Sequence, residues 1–474
     1  MSNLLYSKNE IVASIKKHFS TYFSSLPRPT QENLLLLIIG MYAMESFDSV
    51  RSCFTHLLKK ASNKSLNAYY RTLDTVSLEP MDFIRNTAAI ALSLIPEALA
   101  KEPVFLCTDD TLIPKDGTKF EFVGKLHDHA MHTGKLYVNG HNFVSLMLCI
   151  PVCINNNGHQ IKIRYIPIPL GYQMKTDDNT KLELVADMID NYKEGEELYI
   201  GKELVADMID NIMDLMADKQ VIFSFDCWFA KRPFITRIQQ HKNIGIICNA
   251  RIDSALYELP PYQKTGKRGR PKNHGDQLDT YDDKDFDFNH HKDGYRVAHR
   301  TVIAKIFNMQ EVHAYVTKTT SNSRRLFLCT INPCDIHMGC AWQENFLMRN
   351  IGSTDMELYP LTLYRLRWNI EVGYYEQKTF WSLGKYMVRS KHSIETLLNL
   401  INVAYAAMRI LPHKNNVFKD FRDSAPQEIR LFLSEQIITQ LFLVRIGQKA
   451  MKLKNAESFL SSLYKLVNQL SYAA

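Results

Sequence analysis

Two nearly continuous apolar runs, each closed by a carboxylate, constrain the fold of this chain more than any other feature. PVFLCTDDT, residues 103 to 111, ends with Asp109 and Asp110, and QVIFSFDCWF, residues 220 to 229, carries Asp226. A strand in a sheet covered on both faces has no wet side, so it loses the polar alternation of a half-buried strand and reads this way. The expectation is an α/β fold with acidic residues at the ends of two buried strands. A strand-end aspartate on its own serves equally well as a turn former or helix N-cap. Its meaning depends on what else reaches it.

A second pattern supplies a partner. Tyr364, Arg367, Glu371 and Lys378 follow the spacing Y-x2-R-x3-E-x6-K. On a helix this spacing confines the four side chains to an arc of roughly 60°, spread over about 21 Å of axis. Leu363, Leu366, Ile370, Tyr374 and Trp381 form an adjacent apolar stripe, so the helix can dock on a core and still present the polar face. Such a face is usually just solvated. With two strand-end aspartates, however, the helical glutamate can complete a site holding two divalent cations about 4 Å apart, the arrangement suited to in-line attack on a phosphodiester.

Together, Asp109, Asp226 and the Y-R-E-K segment resemble the DDE transposases of bacterial insertion sequences, in particular the insertion-sequence-four family and its close relatives. The resemblance spans about residues 100 to 395. It implies a ribonuclease-H-like catalytic core, with Asp109, Asp226 and Glu371 as the catalytic, metal-binding triad for two Mg²⁺ ions, which Mn²⁺ can replace. It also implies that Tyr364, Arg367 and Lys378 grip the phosphates and terminal bases of double-stranded DNA, both transposon terminal repeats and target. Asp109-Asp110-Thr111 fits the family's Asp-x-Thr pattern with Asp109 as ligand, and strand alternation turns only one of the two aspartates toward the metals. The following IPKDGTKFEF resembles the family's turn and second strand, with Lys115 or Lys119 near the DNA backbone. In relatives a DNA hairpin forms with a base flipped onto aromatic residues. Trp228, Trp342 and Trp368 are candidates for that stacking, although a core tryptophan is the commoner role.

Around this core, residues 1 to 100 read as helical. SFDSVRSCFTHLLKKASNKSLNAYYRTL suits two short helices around a polar turn, either a helix-turn-helix reader of terminal repeats or a packing module with a basic edge. The catalytic region is expected over 101 to 395. Its stretch of about 145 residues between Asp226 and Glu371 is too long for a plain connection, so a β-rich insertion is expected at about 240 to 345. Within it, KTGKRGRPKNHG is a basic loop whose Arg268, Arg270 and Lys272 can lie along a narrow minor groove or remain solvated. Residues 396 to 474 read as further helices, either a completed core or, as in relatives, support for a homodimer on DNA. The segment ELVADMID occurs twice, at 183 to 190 and 203 to 210. Two copies are too few for a repeat architecture and indicate a local tandem duplication.

Composition narrows the alternatives. A chain of 474 residues with 46% hydrophobic content can bury a large core, and a net charge of +7 suits a polyanionic partner. Nine cysteines in no regular pairing indicate a reducing compartment. Cys329, Cys334, His337 and Cys340 do not match a common zinc spacing, and His127, Asp128, His129 and His132 suit a polar loop near DNA. No stretch has signal-peptide character and LLLLIIGMYAM is too short to span a bilayer, so a cytoplasmic, nucleoid-associated protein is expected, with no membrane role. Two rivals stand beside the transposase: a related nuclease or integrase, which would lack the Y-R-E-K face, and an inactive transposase-derived DNA-binding protein, which the duplication keeps open.

Overall fold

A computed structural model describes residues 10–128, 134, 136–156, 161–176, 200–261, 272–292, 294–332 and 356–450, with a few positions beyond. The chain divides into two compact units, one of residues 87–118 and 122–375, the other of 1–86, 119–121 and 376–474.

Among the described residues, the first unit is built on one twelve-stranded mixed sheet. Its strands are β1 (Val104–Pro114), β2 (Gly124–His127), β3 (Tyr137–Asn156), β4 (Ile161–Met174), β5 (Val221–Phe225), β6 (Ile244–Ala250), β7 (Leu256–Tyr257), β8 (Gln277–Leu278), β9 (His290–Lys292), β10 (Tyr295–Ala304), β11 (Gln310–Lys318) and β12 (Arg324–Cys329). β1 runs antiparallel to β3 and parallel to β5, and β6 continues the parallel set beside β5. The apolar runs behave as their composition requires: Val104 to Thr108 and all of β5 are buried. An aromatic cluster of Phe223, Phe225, Phe229 and Phe234 joins β5 to the helix Arg232–Ile238.

Three expectations need correction here. Asp109 and Asp110 do not end their strand. β1 continues to Pro114 because β3, twenty residues long, supplies antiparallel partners well after the parallel pairing with β5 stops at Cys107 and Ser224. The segment KFEF is not the second strand: the next strand starts at Gly124, after Phe122 turns the chain with a positive φ. Nor does the β-rich stretch begin at 240, since β6 is a parallel strand of the central sheet. The strands that follow do not form a separate sheet either, because β12 pairs antiparallel with β6 and carries β11 and β10 onward.

The second unit is helical and gathers segments from both chain ends. Helix Arg28–Ala43 contains LLLLIIGMYA and is buried on every side from Asn33 to Ala43, as is most of helix Lys391–Lys414. A helix apolar all round belongs inside a core. Among the described residues, Lys391–Lys414 alone is long and apolar enough to cross a membrane, and 94% of its apolar window is buried within the protein. Gly40 permits close contact with Cys53, whose Sγ would lie 2.3 Å from any added Cβ. Arg430 is buried and donates to the main-chain carbonyls of Met41 (3.1 Å), Glu45 (2.9 Å), Met44 and Phe380. One guanidinium thus satisfies acceptors at the C-terminal ends of two helices.

Candidate functional site

The Y-R-E-K segment is helical but not one α-helix. Helix Tyr359–Tyr364 passes into a 3-10 turn, Arg365–Arg367, and then into helix Trp368–Phe380. Leu363, Ile370, Tyr374 and Trp381 are buried and Leu366 is partly covered, as the apolar stripe requires. Gly373 brings the helix close to β3, where the Cε of Met147 would lie 3.0 Å from an added Cβ. Tyr374 fixes the helix to β1: its phenol donates to the main-chain carbonyl of Asp109 at 2.8 Å. With that proton committed, Ser145 Oγ, 2.6 Å away on β3, must donate to the phenol oxygen.

Arg367 is at the centre of what this docking assembles. Its Nη1 donates to Asp109 Oδ2 and its Nη2 to Glu371 Oε1, each at 2.7 Å. The side chains of Arg367 and Asp109 are 14% and 15% exposed, whereas that of Glu371 is 37% exposed, so the ion pair opens to solvent on the glutamate side. Asp110, on the other side of the strand, instead accepts from Asn142 Nδ2 at 2.7 Å. Asp226 follows β5 and accepts the Trp228 amide at 3.0 Å.

Electrostatics tie these groups together. Burial pushes Asp109 up to about 7, Asp226 and Asp110 add to the rise, and Arg367 opposes it. Asp226 is raised too, by burial first, with Arg367 again opposing and Asp110 adding. Burial works against the charge on Arg367, but Tyr364, Asp109 and Glu371 together hold its pKa above that of an ordinary arginine. The two ends of the Asp109–Arg367 pair therefore pull in different senses. The cation is stabilised, while the carboxylate is crowded by other carboxylates and short of water.

Tyr364 lies beside this group, with the Arg367 guanidinium 5.9 Å from its ring centre, and it packs edge-on against Phe327 of β12. Lys378 stands in the last turn of helix Trp368–Phe380. Lys272 is exposed, whereas Arg268, Arg270 and Trp342 lie outside the described residues, as do Cys334, His337, Cys340, His129, His132 and the first ELVADMID copy. Trp368 is not a core residue: it is 63% exposed, because the apolar stripe leaves its side of the helix uncovered. In the segment that suits either a helix-turn-helix or a packing module, Tyr69 is buried with its hydroxyl 2.8 Å from Ser62, while Asn67 and Arg71 on the same helix are exposed.

Two features escaped the sequence reading. Lys202, buried immediately before the second ELVADMID copy, places its Nζ 4.2 Å from the centre of the Trp228 ring. Burial, with Lys231 and Lys175 nearby, lowers it to about 8. A cavity of about 250 Å³ also lies beside Tyr364, with Tyr295, Thr317, Arg325, Phe327 and Arg365 among its walls. Its residues come from three strands, a helix and the 3-10 turn that follows it, so no local spacing announces it.

The donor chemistry fits a hard divalent cation, since Asp109, Asp226 and Glu371 offer only carboxylate oxygens. Among the described residues, however, no three His, Cys, Asp or Glu side chains close around a common point. Comparison with models of known protein families and with curated proteins returns no match.

Proposed function

We propose that this chain is a DNA transposase of the DDE type, acting on the ends of an insertion sequence by phosphodiester hydrolysis followed by strand transfer. The observation that carries the reading is Arg367 joined at 2.7 Å to both Asp109 and Glu371, with Asp226 coupled electrostatically to the same group. Residues 109, 226 and 371 are distant in sequence. The mixed sheet supports a ribonuclease-H-like core, because adjacent parallel strands β1 and β5 bring two aspartates side by side and the helix brings the glutamate.

The protein's own groups divide the work. Asp109, Asp226 and Glu371 would hold two Mg²⁺ or Mn²⁺ ions, which when bound supply a Lewis acid for the attacking and leaving oxygens. Arg367 forks onto a phosphate, Lys378 contributes a point charge, and Tyr364 donates from its hydroxyl. Lys175 beside Trp228 and the arginines beside Tyr364 extend the positive surface along a DNA strand. The substrate is double-stranded DNA in the cytoplasm, at the nucleoid, with a homodimer bridging two ends.

The test is cleavage and strand transfer, with Mg²⁺, on a plasmid carrying the DNA that flanks the coding region. The unmutated protein is expected to release the flanked segment. Asp226→Ala and Glu371→Ala should bind that DNA and leave it intact. Binding without cleavage by the unmutated protein would favour the inactive DNA-binding rival.

A further inference from the structure

Arg367 holds the two carboxylates in an unusual way. A guanidinium commonly forks onto one carboxylate, but here its two terminal nitrogens serve two different ones, Asp109 from β1 and Glu371 from the helix. The cation is therefore inserted between two members of the acidic group. Ligands of one Mg²⁺ sit 2.0 to 2.1 Å from the ion and hence about 3 Å from each other. A planar guanidinium spanning them is wider than that, which accounts for the failure of the acidic side chains to close on a common point.

We propose that Arg367 is a resident counter-ion, occupying the cation position between Asp109 and Glu371 in the DNA-free protein and leaving it for a DNA phosphate before metal can bind there. The proposal rests on the transposase reading for its substrate, and on two independent observations for its geometry. The first is the bridging pair itself. The second is the backbone beneath it: Arg367 closes the three-residue 3-10 turn that interrupts two α-helical segments. A 3-10 stretch within a longer helix often marks a hinge, because its poorer hydrogen bonds cost little to exchange for the α pattern. Rewinding Arg365–Arg367 by that exchange would turn Arg367 relative to Glu371 without moving Tyr374 from its anchor on β1.

The electrostatics set an order of events. Asp109 and Asp226 are short of water and crowded by carboxylates, so a DNA-free site needs a cation. Arg367 supplies one without an outside ion. A phosphate offers the guanidinium a replacement anion of matching fork geometry and leaves Asp109 and Glu371 short of positive charge. Metal affinity then rises because DNA is present, and by linkage DNA affinity rises with metal. The exposed side of Glu371 is the open route for the exchange.

The experiment measures Mn²⁺ binding to the DNA-free full chain by electron paramagnetic resonance, together with thermal melting with and without Mn²⁺. Arg367→Gln is expected to bind Mn²⁺ about tenfold more tightly than the unmutated protein, the scale of one charge-assisted contact. Its melting temperature should rise with Mn²⁺ where that of the unmutated protein barely moves. Adding Asp109→Asn to Arg367→Gln should abolish the gain. Arg365→Gln, which removes the same charge two residues away, should leave Mn²⁺ affinity within about twofold, as expected for an exposed charge screened by water.

Equal Mn²⁺ affinity in the unmutated and Arg367→Gln proteins would overturn the proposal, as would an equal gain in Arg365→Gln. If Arg367→Gln does not fold, Arg367→Met carries the test: it keeps an aliphatic stem and removes the charge, so tighter Mn²⁺ binding supports the proposal and unchanged binding overturns it. A chain that cleaves DNA but shows no such gain loses the counter-ion mechanism alone. A chain that shows the gain but never cleaves keeps the counter-ion and loses the transposase.

Discussion

Asp109 binds a cation at 2.7 Å and still keeps its proton up to about pH 7, because burial and two neighbouring aspartates outweigh the one arginine. A raised carboxyl pKa means that the folded state holds the proton more tightly than the unfolded one. The resulting stability is fully present below the unfolded value of 3.8 and is lost as pH rises through about 7. Asp109→Asn should therefore gain stability over the unmutated, metal-free protein across that window, by on the order of 2 kcal/mol at pH 8. Urea denaturation at pH 5 and pH 8 checks this; a difference that shrinks with rising pH would contradict it. The acidic residues themselves were legible in the sequence, because apolar runs isolate them. Their crowding was not, since it depends on how closely β1, β5 and the helix approach. Trp368 shows the same limit, since its exposure follows from which face of the helix finds a partner.

At the scale of the element, periodicity predicted helices and strands well and their ends poorly. β1 overran its expected end because its length is set by β3, and nothing within PVFLCTDDT encodes the partner's reach. The 3-10 turn at Arg365–Arg367 was hidden for a similar reason, as three residues of tighter winding leave the apolar stripe intact. The duplicated segment is now better defined. Helix Ile200–Asp210 uses the second copy, with Val205, Met208 and Ile209 buried, and Lys202 precedes that copy where Leu182 precedes the first. Deleting residues 182–201 removes only Ile200 and Gly201 from this helix, keeps Lys202 in place and should cost less than about 1 kcal/mol, a few degrees in Tm. Deleting 183–202 puts Leu182 beside Trp228 instead, and should fold equally well. A collapsed melting transition for the first deletion would mean that both copies are structural. In the helical unit, Arg430→Leu would orphan several main-chain carbonyls at once. A loss of roughly 3 kcal/mol or more is expected, read as a lower urea midpoint at unchanged slope.

For the whole molecule, the sequence reading separated an N-terminal helical region from a C-terminal one, whereas the structure joins 1–86 and 376–474 in one compact unit. Hydrophobic periodicity shows that a helix has a face to bury and is silent about which distant helix covers it. The β-rich stretch is a comparable case, since alternation identified its strands but not their attachment. That attachment has a mechanical consequence. With β12 hydrogen-bonded to β6 from Leu326 to Cys329, the sheet continues past the point where its parallel strands end. Amides of β5, β6 and β12 should therefore show one common, slow hydrogen-exchange rate, and earlier release of β12 would break the argument. If the sheet bends as a single plate, the distance from β10 to Asp226 is fixed by the backbone. Anything gripped at the far strands is then measured off against the acidic residues as if along a rigid ruler.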